Sequence, residues 1–248
     1  MLANFTVLPI MLIWPGTPEN RQRRIRIFIS RSFRALLSAI AALRLGWVDV
    51  EGKQWFAQAG GKLVLATHPM YLDVVALIAV LPTADCVVKK ATLRNPFTRF
   101  FAKAAGYYSN EDSVEFLDTC IHALRNGHTL IIFPQGTRTL PGETLHFKRG
   151  AAQVAVRSNC WILPVMIHCS PPALVKNTMW YQVPERPWRL LVKAYPPYNP
   201  AASPQENALP NAIVARRLTR QLEVFFNQEL SGHEYPGAGT ETAHNRFA

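Results

Sequence analysis

From Gly46 onward, short apolar segments alternate with longer amphipathic ones, and this alternation limits the possible fold more than any other feature of the sequence. The apolar segments have the length of strands, and the amphipathic segments have the spacing of helices. Strands are predicted at 62–66, 86–88, 130–133, 162–167 and 190–194, and helices at 72–80, 94–105, 114–125, 150–157 and 211–230. The pattern predicts a single α/β domain, in which a mixed sheet is flanked by helices.

The chain divides into three predicted parts, of which 47–230 is the folded domain and 231–248 is a disordered polar tail. The first part, 1–46, is predicted to associate with a membrane. Its first 14 residues carry no charged side chain. That run is shorter than the roughly 20 apolar residues that a spanning helix needs, so we expect it to lie on a bilayer or dip into it.

Residues 21–45 are predicted to form a basic amphipathic helix with two distinct faces. Apolar residues form one arc and arginines lie opposite: Ile25, Ile29, Phe33, Leu36, Ile40 and Leu43 against Arg23, Arg24, Arg31 and Arg34. Arg26 and Arg44 stand near the edge of the apolar arc. Such a helix suits an anionic bilayer surface. The alternative is a helix that packs on the domain core and turns its basic face to solvent.

The chain is basic, with a formal net charge of +11, and a basic chain attracts anionic lipid, phosphorylated substrates or nucleic acid. It contains no RNP-like, zinc-finger or helix-turn-helix signature, so nucleic acid is not a predicted partner. The cysteines include no C-x-x-C pair (Cys86, Cys120, Cys160 and Cys169). Neither a metal site nor a disulfide framework is therefore predicted.

The loop after the first predicted strand of the domain reads THPMYLD, residues 67–73. Loops at strand ends are where α/β folds bind ligands. His68 and Asp73 are close enough in sequence for the carboxylate to bond one imidazole nitrogen, which leaves the other nitrogen as a base. By itself, such a pair is as compatible with a structural role as with catalysis.

A second loop, FPQGTRT at residues 133–139, follows the predicted strand 130–133. Gly136 permits a tight backbone turn, Thr137 supplies a hydroxyl and Arg138 supplies a bidentate fork. This chemistry is typical of a phosphate or carboxylate site. Together the two loops offer a base and an anion site, which fits an acceptor with a hydroxyl near one end and a phosphate at the other.

In order and spacing, these motifs resemble those of glycerolipid acyltransferases, especially the 1-acylglycerol-3-phosphate (lysophosphatidic acid) acyltransferases. THPMYLD is similar to the family's His-and-Asp block, and FPQGTRT is similar to its FPEGTRS block. The segments FKRGAA at 147–152 and ILPV at 162–165 resemble later family segments, and Lys89 and Lys90 resemble its basic residues after the second strand.

The resemblance implies an acyltransferase of phospholipid biosynthesis with His68 as general base and Asp73 as its partner. It also implies a set of acceptor phosphate ligands, namely Gln135, Gly136, Thr137 and Arg138 with Lys89 and Lys90. The acyl donor would be acyl-CoA or acyl-carrier protein, the acceptor a lysolipid, and no cofactor or metal would be needed. The protein would lie on a membrane at its cytoplasmic face, which is the inner membrane in a bacterium.

Two departures from the family pattern concern the acceptor. Gln135 stands where the family has glutamate, and the loop 107–112 replaces an Asp-Arg pair. A diverged enzyme for another lipid-like acceptor therefore stays open as an interpretation. A non-catalytic, basic membrane-binding protein on the same fold is a second alternative.

Overall fold

The structure is a computed structural model that describes residues 15–89, 93–94, 96–110, 114–176, 178, 182, 184–200 and 209–232. Its helices are α1 Pro18–Ala42, α2 Lys53–Ala57, α3 Asp73–Val80, α4 Pro96–Ala105, α5 Val114–Arg125, α6 Arg149–Ser158 and α7 Asn211–Gly232. Its strands are β1 Gly46–Glu51, β2 Leu63–Ala66, β3 Asp85–Lys89, β4 Tyr108–Asn110, β5 Leu130–Ile132, β6 Ile162–Ser170 and β7 Trp188–Ala194.

The described strands form one seven-stranded sheet in the order β1-β7-β6-β2-β5-β3-β4. Neighbouring strands are parallel except β6 and β7, which pair antiparallel. The predicted mixed sheet is therefore confirmed. Because β2 and β5 are parallel neighbours, the loops that follow them open at the same edge of the sheet.

Helices cover both faces of the sheet, which is why its central strands read as continuous apolar runs. Val64 and Ala66 of β2 pack with α1, α2 and α3 on one face, whereas Leu63 and Leu65 pack with α5, α6 and α7 on the other. All four side chains are fully buried. The flanking helices were expected from the amphipathic segments, and the fold class is confirmed.

The predicted basic helix is present as α1, and its apolar arc packs against the domain. Ile25 and Ile29 are buried against Ile78 of α3 and Ala105 of α4. Leu36 and Leu43 of the same arc are exposed, at 36% and 69%. Most of this arc thus follows the alternative interpretation, a helix on the domain core. Contact of α1 with a membrane stays a prediction.

A buried ion pair fixes α1 to the domain. Arg26 is bonded to Asp85 at the start of β3, and its Nε donates to the carbonyl of Ala105 at 2.7 Å. Asp85 is fully buried and also accepts from His128 Nδ1 at 2.9 Å. The arginine at the edge of the apolar arc therefore belongs to the interior of the protein.

Three elements were not expected from the sequence: β1, α2 and β4. In β1, Asp49 and Glu51 alternate with apolar residues, and the strand lies at the edge of the sheet. β4 has three residues and forms the opposite edge. None of the described helices is both long and apolar enough to cross a bilayer. The uncharged run 1–14 and most of the predicted tail, 233–248, lie outside the described residues.

Candidate active site

His68 and Asp73 are held together directly beyond the carboxyl end of β2. Asp73 is the first residue of α3, and its Oδ2 accepts from His68 Nδ1 at 2.9 Å and from the backbone N–H of Met70 at 2.8 Å. With the proton on Nδ1, Nε2 carries the free lone pair of a base. The His68 side chain is 19% exposed and that of Asp73 is fully buried, so the imidazole is accessible to a ligand whereas the carboxylate is not.

Burial raises the pKa of Asp73 to about 6, against the lowering effect of the hydrogen bond and charge of His68 and the charge of Arg138. The carboxylate Oδ1 accepts no hydrogen bond from any residue that the structure describes. Asp73 is consequently ionised at neutral pH by a small margin only, and its Oδ2 faces the imidazole of His68.

The THPMYLD loop contacts the FPQGTRT loop, which follows β5, through a ring stack and a backbone hydrogen bond. The ring of His68 stacks on Phe133 with a centroid distance of 4.4 Å and an interplanar angle of 30°. The backbone N–H of Thr139 donates to the carbonyl of His68 at 3.1 Å. The structure thus brings together the two motifs that the sequence placed at separate strand ends.

The FPQGTRT loop turns tightly at Gly136, which has a φ of +69° in the left-handed region. Its N–H donates to the carbonyl of Phe133 at 3.0 Å. Gln135 is buried and donates through Nε2 to the hydroxyl of Thr139 at 3.0 Å, whereas its Oε1 has no partner among the described residues. Thr137 is exposed at the tip of the loop.

Arg138 bonds to the segment that follows β6, which the sequence did not suggest. Its NH1 donates to the carbonyls of Leu174 at 3.2 Å and Val175 at 3.0 Å. The guanidinium lies 4.8 Å from the ring centroid of Tyr71, within the THPMYLD loop. Nε and NH2 make no hydrogen bond within the described part of the chain, and they carry the donors that a ligand could use.

The remaining predicted phosphate ligands are Lys89 and Lys90. Lys89 ends β3, but its side chain and all of Lys90 lie outside the described residues. Thr67, which begins the THPMYLD loop, is buried. Its Oγ1 donates to the carbonyl of Ile167 at 3.0 Å and accepts from the N–H of the same residue at 2.7 Å. Thr67 therefore bonds β2 to β6 next to His68.

Lys148 is a site residue to which sequence reasoning gave no role. A Cβ built on Gly136 would lie 3.1 Å from its Cε and 3.2 Å from its Cδ. The FKRGAA segment was noticed as a family likeness, but nothing in the motif indicated that its lysine lies against the glycine of the FPQGTRT loop.

The cysteines do not add a nucleophile. All four are buried and none is in a disulfide. Burial raises the pKa of Cys169 to about 12, and that of Cys86 and Cys120 to about 12 as well. These thiols are therefore un-ionised at neutral pH. In the described part of the chain, no three His, Cys, Asp or Glu residues are placed to hold a metal ion.

Residues 47–168, which contain both loops, match the family model described as Acyltransferase. This segment of the chain is therefore similar to acyltransferases. The chain is 33% identical over 115 residues to the 1-acyl-sn-glycerol-3-phosphate acyltransferase of Helicobacter pylori, covering 44% of this chain and 48% of that protein. It is 25% identical over 139 residues to the enzyme of the same name from Borreliella burgdorferi, covering 54% and 56%.

The fold of the chain is also similar to that of a solved structure. The crystal structure of PlsC from Thermotoga maritima, a 1-acyl-sn-glycerophosphate (LPA) acyltransferase, superimposes with a TM-score of 0.68 at 20% identity. The match covers 92% of this chain and 89% of that chain. The chain spans about half the length of the curated relatives it matches. The predicted resemblance to this family is confirmed.

Proposed function

We propose that the protein transfers a fatty acyl group from a thioester to the hydroxyl of a lysophosphatidic-acid-like acceptor. One observation carries the proposal: the His68–Asp73 pair is stacked and hydrogen-bonded against the FPQGTRT loop. A base alone would suit many reactions. A base beside an anion site suits an acceptor that has a hydroxyl and a phosphate, and the curated relatives are named for such a substrate.

In the proposed reaction, His68 Nε2 takes the proton of the acceptor hydroxyl while Asp73 holds Nδ1–H and stabilises the imidazolium. The hydroxyl oxygen attacks the thioester carbonyl, and the carbon–oxygen bond forms. The tetrahedral intermediate then breaks its carbon–sulfur bond, and the imidazolium returns the proton to the departing thiolate. General base catalysis of this type contributes about 10²–10⁴-fold to the rate.

The acceptor phosphate would meet the remaining donors of Arg138, the hydroxyl of Thr137 and the exposed turn at Gly136. Lys89 and Lys90 stay proposed ligands of the same group. Gln135 favours a second acceptor class, since its amide lacks the charge of the family's glutamate and keeps a buried, unpartnered oxygen.

The donor is proposed to be acyl-CoA or acyl-carrier protein, and the site of action the cytoplasmic face of a membrane. The membrane site is supported by the net charge of +11 and by exposed Leu36, Leu43 and Leu45 at the end of α1. Exposed arginines flank these leucines at Arg31 and Arg44. Apolar residues beside arginines suit an anionic bilayer surface.

The test is to incubate the protein and its His68→Ala variant with labelled acyl-CoA or acyl-carrier protein and a panel of lysolipids. The product is identified by mass. Acyl transfer by the unaltered protein and its loss in His68→Ala would support the proposal. Binding to vesicles without acyl transfer to any acceptor in the panel would instead favour a non-catalytic membrane-binding protein.

A further inference from the structure

Lys148 lies against Gly136 of the FPQGTRT loop, in space that a side chain at position 136 would fill. The FPQGTRT loop is called the anion loop from here on, because it is proposed to bind the acceptor phosphate. Its stem runs along Gly136, and a Cβ on that residue would lie 3.5 Å from Nζ as well as closer to Cε and Cδ. The backbone N–H of Lys148 donates to the carbonyl of Pro134 at 2.8 Å. Both ends of the lysine are therefore set by the loop that is proposed to bind the acceptor phosphate.

The position of Lys148 is unfavourable unless an anion is near. It is the N-cap of α6, with no side-chain cap hydrogen bond, and Arg149 follows as the first helical residue. Ser, Thr, Asp and Asn are the residues favoured at an N-cap. Cations at the amino end of a helix are repelled by its dipole, whereas an anion is stabilised there. A local conflict of this kind is expected at functional sites.

The last helix holds the segment that carries Lys148. Asn227 of α7 accepts from the N–H of Leu145 at 2.9 Å and donates to the carbonyl of the same residue at 3.2 Å. Glu223 of α7 accepts from the N–H of Phe147 at 2.5 Å. Two side chains of one helix thus fix the backbone up to the residue before the lysine.

We propose that Lys148 is a further acceptor-binding residue, and that Asn227 and Glu223 are positioning residues that act through it. The inference rests on the proposed function, because the anion is taken to be the acceptor's phosphate. Lys148 would pair with the phosphate as a point charge, and Arg138 would bind it through its planar fork.

The first experiment compares Lys148→Gln with Arg149→Gln, a matched control that removes the adjacent exposed cation. Lys148→Gln is expected to raise KM for lysophosphatidic acid about 5- to 10-fold with kcat unchanged, the size of an exposed charge-assisted contact. A phosphate contact present in both ground and transition states affects KM in this way. Equal KM changes in the two variants would mean that general charge, not this lysine, is responsible.

The positioning role is tested with a double-mutant cycle. Asn227→Ala should raise KM in the unaltered background but have no further effect on KM when Lys148 is already glutamine. Independent, multiplying effects would overturn the positioning role. Glu223→Ala, compared with Glu223→Gln, which keeps an acceptor for Phe147, gives the same test if Asn227→Ala does not fold.

Binding of glycerol 3-phosphate separates this inference from the proposed reaction. The probe should raise the melting temperature of the full-length protein in a concentration-dependent way, and this stabilisation should be weakened in Lys148→Gln but retained in Arg149→Gln. If no acceptor is acylated but this pattern holds, the reaction is wrong and the anion site stands. If transfer occurs and stabilisation is equal in both variants, the assignment of Lys148 is wrong.

Discussion

The two loops of the candidate site differ in how far their charged side chains are exposed to solvent. The THPMYLD loop buries Asp73 completely and leaves the imidazole bonded to it 19% exposed. The anion loop leaves Thr137 and Lys148 exposed, and it fixes Arg138 by one nitrogen while the rest of the fork stays available. A proton-transfer group needs a fixed tautomer and a strong local field, whereas an anion site must admit a solvated headgroup.

The largest effect is expected at the imidazole. His68→Ala should lower kcat by about 10³–10⁴-fold, because it removes the general base of the proposed reaction. KM for the phosphorylated acceptor should change little, since the anion loop is intact. Steady-state rates with a fixed thioester donor measure both constants, and the melting temperature reports folding. A raised KM with an unchanged kcat would mean that His68 binds substrate instead of moving a proton.

A smaller loss of kcat is expected at Asp73, the buried partner of His68. Asp73→Asn keeps an oxygen for Nδ1 and Met70 but loses the charge that stabilises the imidazolium, so kcat should fall about 10²-fold. Comparison of kcat in Asp73→Asn and in the double variant with His68→Ala measures the coupling. If the two losses multiply, the residues do not act as one unit.

The pH dependence should also differ between the loops. Because burial raises the pKa of Asp73 to about 6, kcat should decline as pH falls through that value and reach about one tenth near pH 5. Arg138 keeps its charge throughout this range, so the dependence of KM on Arg138 should not change. A pH–rate profile at saturating acceptor tests this, and a kcat that is flat down to pH 5 would contradict it.

The pH dependence of folding stability is an independent control for the titration of Asp73. A carboxyl whose pKa is raised on folding stabilises the protein fully below its unfolded value, here 3.8, and loses that contribution as pH rises through about 6. Asp73→Asn has no such group. The variant should therefore gain stability relative to the unaltered protein as pH rises from 4 to 7, measured by urea unfolding across that window.

The smallest effect is expected at the anion loop. Arg138→Lys keeps the charge but loses the fork that joins the Leu174 carbonyl to the ligand side, so KM for lysophosphatidic acid should rise about 5- to 10-fold. The value of kcat should fall by less, because His68 and Asp73 keep their contacts. A neutral lysolipid acceptor is the control, and an equal change in its KM would mean that the loop does not recognise phosphate.

Sequence periodicity predicted the elements that are buried on both faces, because their apolar runs have no polar interruption. It missed β1 and β4, where one strand mixes charged with apolar residues and the other is three residues long. His68 and Asp73 could be paired because they are five residues apart. The bond from Arg138 to Val175 spans 37 residues and joins segments that only the folded chain brings together.

The same limit applies to α1. The helical pattern identified the apolar arc of α1. It did not show what the arc packs against, because a bilayer and a protein core bury the same side chains. The position of Arg26 is consistent with packing on the protein core, since an arginine at the edge of an apolar arc can reach a buried carboxylate. The sequence does not reveal that this carboxylate is Asp85, 59 positions further along.

The Arg26–Asp85 pair has a practical consequence for anyone who trims this protein. A shortened version that starts after α1 would leave Asp85 with His128 and Tyr108 as its side-chain partners among the described residues. Removal of one member of a buried pair costs about 3–5 kcal/mol. Loss of α1 should therefore lower the stability of the remaining domain, and an uncharged replacement such as Asp85→Asn should restore part of it.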